Sequence, residues 1–157
     1  MIAVGIDPGA SGGIAAILDG RAEAWPMPET EAEVLRVLSE ILAWSPEGRA
    51  FALLERVHAM PKQGVSSTFK FGRSYGGLRM ALAAARIPFD EATPGTWQRA
   101  LGCLSGGDKN VTKRRAQELF PALRVTHAIA DALLLAEFCR RRLLGQALDL
   151  PGKTTVP

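Results

Sequence analysis

The chain has 157 residues, 47% hydrophobic and 22% charged, a balance that suits one globular domain with its own core and excludes a disordered or fibrous polypeptide. No apolar run reaches the roughly 18 residues of a membrane span and no signal-peptide pattern is present, so the chain reads as cytoplasmic with no membrane partner. Net charge is +3 but unevenly spread, with nine acids against three Lys/Arg in residues 1–55 and seven against sixteen in residues 56–157.

That asymmetry fits either a solvated basic surface or a polyanionic partner. It is sharpest from Arg56 to Phe89, where six basic residues, Lys62, Lys70 and Arg73 among them, meet no acid. Cys103 and Cys139 fit no ligand spacing and read as reduced thiols.

In chain order, Ile2–Ile6 and Ile14–Leu18 read as two strands around the glycine-rich turn Pro8-Gly9-Ala10-Ser11-Gly12-Gly13, and Ala22–Trp25 as a third. Thr30 to Glu33 has capping-box spacing. Val34, Leu35, Leu38, Ile41 and Leu42 then fall on one helical face, stopped by Ser45-Pro46. Ala50–Leu54 is another apolar strand and Pro61–Thr68 an exposed loop. A helix is expected over Ser67–Arg86, where Gly72, Gly76 and Gly77 predict a bulky neighbour packed closely. Ile87–Glu91 reads as a strand, Thr96–Leu101 as a short helix and Leu104–Asn110 as a mobile loop. Two helices follow, Val111–Phe120 and His127–Leu144. The pattern predicts an α/β domain over residues 1–145, a mixed central sheet flanked by helices, and a flexible tail over 146–157.

The chemistry-bearing residues sit where apolar elements end. Asp7 closes the first strand and Glu55 a later one reached through a helix, so the two strands are candidates for parallel neighbours. Carboxylates emerging at one sheet edge repel unless a cation lies between them. His127 and Asp131, four residues apart, share one face at the start of an otherwise small and apolar helix. Three carboxylates and an imidazole suit magnesium or manganese, and two such ions support phosphodiester hydrolysis. Taken singly, Asp7 is equally an ordinary strand-end aspartate and His127 a helix-capping or core histidine; the conjunction carries the reading. Lys109 and Lys113, with Arg114 and Arg115 beside them, form a basic helix segment suited to phosphates, and Lys70 and Arg73 are further candidates. Phe69, Phe71 and Tyr75 interleave with that last pair, as a wedge for DNA or as an interface between subunits.

These blocks, GIDPGASGG, ALLERV, TPGTWQRALG with GDKNVTKRRAQELFP, and HAIADALLLA, taken in order resemble the RuvC family of Holliday junction resolvases over nearly the whole chain. The first block alone also occurs in sugar kinases and actin-like ATPases, whose two lobes exceed this length. The resemblance implies a ribonuclease H-like fold, a homodimer, and divalent-metal-dependent paired nicking of four-way DNA junctions. Asp7, Glu55 and Asp131 match three acids of the family's site. The fourth ligand departs from the family's usual acid: Ala128 lies three residues before Asp131 and His127 four before. That leaves two roles for His127, metal ligand or general acid/base. Two other readings keep the fold: a nuclease for flaps and forks, and a non-catalytic protein that binds branched DNA.

Overall fold

The computed structural model describes residues 1–56 and 64–145; the expected tail over 146–157 and the start of the expected loop, Lys62 included, lie outside them. The elements in order are β1 (Ile2–Asp7), β2 (Gly13–Leu18), β3 (Arg21–Pro26), α1 (Glu31–Leu42), β4 (Ala50–Glu55), α2 (Val65–Ala84), β5 (Phe89–Ala92), α3 (Pro94–Ala100), α4 (Lys109–Leu119) and α5 (His127–Leu143). The strands form one sheet in the order β3-β2-β1-β4-β5. β1 and β2, and β2 and β3, are antiparallel hairpin partners, whereas β1 with β4 and β4 with β5 run parallel. The mixed sheet follows from its connections: tight turns link the first three strands, and helices carry the chain to the next two.

Alternation along β1 sorts the core into two layers. Ile2, Val4 and Ile6 face α1 and α2. Ala3 and Gly5 face α5, and the helix passes so close that a Cβ on Gly5 would overlap the Ala132 and Ala136 backbone. Alanines at 132 and 136 and the bare Gly5 are therefore what let α5 lie directly on the central strand.

Four local readings differ from expectation. On α1 the buried face is Val34, Val37, Leu38 and Ile41, while Leu35 is exposed, because the helix turns its stripe one position round from the one the pattern suggests. The capping box at Thr30 and Glu33 forms as expected, with both reciprocal hydrogen bonds present. The expected loop up to Thr68 gives way to helix at Val65, and Lys109 belongs to α4 rather than to the loop before it. Most consequentially, nothing lies within 4 Å of a Cβ placed on Gly72 or Gly76, and only Glu31 comes near Gly77. The bulky neighbour expected at these glycines is absent from the described part of the chain.

Candidate metal and nucleic-acid site

The last register pair of β1 and β4 is Ile6 with Leu54, both turned towards α1 and α2. The next residue on each strand must point the other way, and these are Asp7 and Glu55. Both carboxylates therefore emerge at one sheet edge, on the face covered by α5. The turn after Asp7 is shaped by glycine: Gly9 has φ +103°, Gly12 donates to the Gly9 carbonyl at 3.1 Å, and a Cβ on Gly12 would strike the Asp7 carbonyl. Asp131 comes from the first turns of α5, just before the Ala132–Ala136 segment that crosses Gly5.

The three carboxylates influence one another's protonation. Burial pushes Asp7 up to about 8, and the charges of Glu55 and Asp131 add to the shift while Lys109 opposes it. Glu55 rises to about 7, mainly through burial and also through Asp131, against the Trp97 hydrogen bond and Lys109. Asp131 is raised by burial, with Thr112, Lys109 and His127 pulling it back. Its Oδ1 is buried without a hydrogen-bond partner, a costly state for a carboxylate oxygen.

That orphaned oxygen and the mutually repelling acids fit a hard divalent cation. Among the described residues no three His, Cys, Asp or Glu side chains close into a ready-made coordination group. An open, oxygen-rich cluster suits magnesium, which keeps several waters and accepts substrate phosphate as a ligand. His127 stands apart from the carboxylates in one respect: it is exposed, the first residue of α5, and bears on the site through Asp131.

The basic residues divide. Lys109 acts on all three carboxylates from the first turn of α4, so it belongs to the site itself as well as to its surroundings. Lys113 is half-buried and Arg114 exposed on the same helix. Arg115 is committed to structure, donating to the Leu101 carbonyl at 3.0 Å and pairing with Glu118. Lys70 and Arg73 are exposed on α2. Phe69 stands out from that helix, 71% exposed, whereas Phe71 and Tyr75 stack at 6.3 Å.

One residue was missed by reading the sequence for charge. Trp97 on α3 is fully buried and donates its indole N–H to Glu55 Oε2 at 2.9 Å. The available signal was the rule that a buried tryptophan needs an acceptor.

No protein-family model matches the sequence, and no curated protein matches it. Among solved structures the chain is similar to RuvC of Thermus thermophilus, at 22% identity over 96% of this chain and 100% of that one, with a TM-score of 0.62. A second similar structure, T. thermophilus RuvC in complex with Holliday junction substrate, gives 21% identity over 96% and 99% of the two chains, with a TM-score of 0.61. At this level of identity the likeness defines architecture: the chain has the ribonuclease H-like α/β fold seen in RuvC.

Proposed function

We propose that the protein is a metal-dependent, structure-specific DNA endonuclease that resolves four-way junctions. The observation that carries the proposal is the convergence of Asp7, Glu55 and Asp131 on one sheet edge, with the Asp131 Oδ1 unpartnered. It gains support from the fold shared with a protein solved in complex with Holliday junction substrate.

Asp7, Glu55 and Asp131, with His127 as a fourth ligand or as a proton donor, would hold two divalent cations, magnesium or manganese. Bound there, the ions supply Lewis-acid polarisation of the scissile phosphate and activation of water. The protein's own contributions are of other kinds. Trp97 fixes one Glu55 oxygen and leaves the other for the site. Lys109 offsets part of the carboxylates' charge, which lets a phosphate approach an otherwise repelling cluster. Lys113, Arg114, Lys70 and Arg73 supply backbone contacts that read shape and charge rather than sequence.

Paired symmetric nicks require two such sites. The exposed face of α2, with Phe69, Gly72, Gly76 and Met80 along one stripe, supports a homodimer in which two copies meet through this helix.

The deciding experiment is nicking of a labelled four-way junction beside a linear duplex and a flap, with magnesium, manganese or chelator. Paired nicks confined to the junction and lost with chelator bear the proposal out. Cutting spread over the flap favours a broader branched-DNA nuclease, and binding without cutting under either ion overturns the assignment.

A further inference from the structure

The two edges of the sheet are built differently. β5 has four residues, and its acids are engaged: Asp90 pairs with Arg142, and Glu91 lies 3.9 Å from both Arg56 and Arg79. Short, charged edges of this kind discourage further pairing. β3 has six residues and only β2 beside it. Its register shows which backbone groups are spare. Leu18 and Arg21 close a two-residue turn in which Asp19 and Gly20 have φ of 48° and 85°. At the other end of the same ladder Met27 donates to the Gly12 carbonyl at 2.9 Å. Hydrogen-bonded pairs recur at every second residue, so Arg21, Glu23 and Trp25 direct their backbone groups at β2. Ala22 and Ala24 turn theirs outward, and among the described residues no backbone hydrogen bond reaches that outer edge.

Beside the open edge, on the α5 side of the sheet, lies a groove of about 410 Å³. Ile17, Ala22, Leu119 and Phe120 give it an apolar lining, and Arg140 and Arg141 give it charge. Glu137, only 5% exposed, holds both guanidiniums. Arg140 donates to it through Nε at 2.7 Å and Nη2 at 2.9 Å, and Arg141 through Nε at 2.8 Å. Two cations thus share one carboxylate, and among the described residues the Arg141 Nη atoms make no hydrogen bond.

The edge and the groove together select an occupant. In a strand added along β3, the residue opposite Ala22 shares its face of the sheet, and its side chain enters the groove. An aspartate or glutamate there meets the spare guanidinium nitrogens in a charge-assisted bond. An apolar residue two positions along, on the same face, suits Ile17, Leu119 and Phe120. A phosphodiester chain would match the cations but neither the apolar lining nor the row of amide donors and acceptors.

We infer that β3 is a docking edge for an extended segment of a partner protein, one acidic residue flanked by apolar ones, which pairs with Ala22 and Ala24 and places its carboxylate at Arg141. Ile17 lies opposite Ala3 and Gly13 opposite Asp7, so the groove sits at the other end of the hairpin from the carboxylates. Docking there leaves the metal end of the sheet open, and the inference is independent of the nuclease reading.

The test selects a phage-displayed library of short random peptides on the full chain, then measures the strongest binders as labelled peptides by fluorescence anisotropy. The binders should share one acid with apolar residues two positions away. Ala22→Pro removes an outward N–H that the β2 ladder does not use, so Tm should stay near the wild type's while peptide affinity falls at least tenfold. Arg141→Gln should weaken the acidic peptides at least tenfold and leave their amide counterparts unchanged. N-methylation of alternate peptide residues probes the same ladder with the protein intact: one parity should abolish binding and the other preserve it. A library without binders, binders without a shared acid, or affinity that survives Arg141→Gln or both methylation patterns overturns the docking edge. Self-association lost in Ala22→Pro would overturn it in favour of a second copy. Displacement of the peptide by a short single-stranded oligonucleotide, with weaker junction binding in Arg141→Gln, would overturn it in favour of DNA.

Discussion

The Trp97 indole donates to Glu55 Oε2 at 2.9 Å across 42 residues of chain, inside the α5-side core. The bond favours the ionised carboxylate, opposing the burial that drives Glu55 up to about 7. It also fixes which oxygen faces the site. A buried donor matched to a candidate ligand in this way acts on metal affinity more than on folding.

Trp97→Phe keeps most of the ring volume and removes the N–H. Manganese affinity measured by calorimetry should fall by about 10-fold or more, while stability changes by only ~1–2 kcal/mol. The pH at which nicking reaches half its maximum should rise, because Glu55 loses a group that lowers its pKa. Unchanged manganese binding in Trp97→Phe would reduce the indole to a packing role.

The carboxylate cluster makes stability depend on pH in an unusual direction. Asp7 has a folded pKa of about 8 against an ordinary 3.8, so the folded state binds the proton more tightly than the unfolded chain. The resulting penalty is absent below about 3.8 and grows as pH rises towards 8. Metal-free protein should lose ~2–4 kcal/mol between pH 5 and 8, seen as a Tm fall of about 5–10 °C. Asp7→Asn should flatten this slope, raise Tm at pH 8 and abolish nicking with junction binding intact. Millimolar magnesium should flatten it in the wild type. A metal-free Tm that climbs from pH 5 to 8 would contradict the clustering.

Much of this site was legible because it is written in element ends. Two apolar strands that each stop on an acid, joined through a helix, lead directly to Asp7 and Glu55 side by side on parallel β1 and β4. The four-residue spacing likewise puts His127 one turn from Asp131, although only the fold shows the imidazole to be exposed. What the sequence concealed depends on long-range approach. Trp97 reaches Glu55 with α3 packed against α5, and Lys109, legible in the sequence as a phosphate contact, acts on the carboxylates themselves because α4 packs on α5. Gly72 and Gly76 read in the sequence as positions of close contact, but among the described residues nothing lies within 4 Å of a Cβ placed on either.

Gly5 sets the distance between β1 and α5, and therefore between Asp7 and Asp131. Its Cβ would overlap backbone atoms of Ala132, Leu135 and Ala136, which have no flexible end to move aside. Gly5→Ala should cost roughly 3 kcal/mol or more, at the upper end of single substitutions. Any folded fraction should bind manganese more weakly, because α5 must shift away from β1. A variant with wild-type Tm would show that the helix does not rest on this strand.

The face of α2 offers a test in which two effects on one residue have opposite signs. Val65, Phe69 and Met80 are 88%, 71% and 69% exposed, and with Gly72 and Gly76 they share one side of the helix. Alone in solution the glycines only weaken the helix, so Gly72→Ala should stabilise a monomer by about 1 kcal/mol. If two copies meet there, the added methyl group instead holds the helices apart. The proposed dimer therefore predicts that Gly72→Ala and Gly76→Ala weaken self-association at least tenfold in sedimentation equilibrium. The dissociated chain should stay folded, with a Tm equal to or above the wild type's measured at the same dilution. Phe69→Asp, on the same stripe, should give monomers that bind a four-way junction but no longer nick it in pairs. Should the glycine variants sediment as the wild type does and simply melt higher, α2 would be an ordinary solvated helix and the second metal site would have to come from elsewhere.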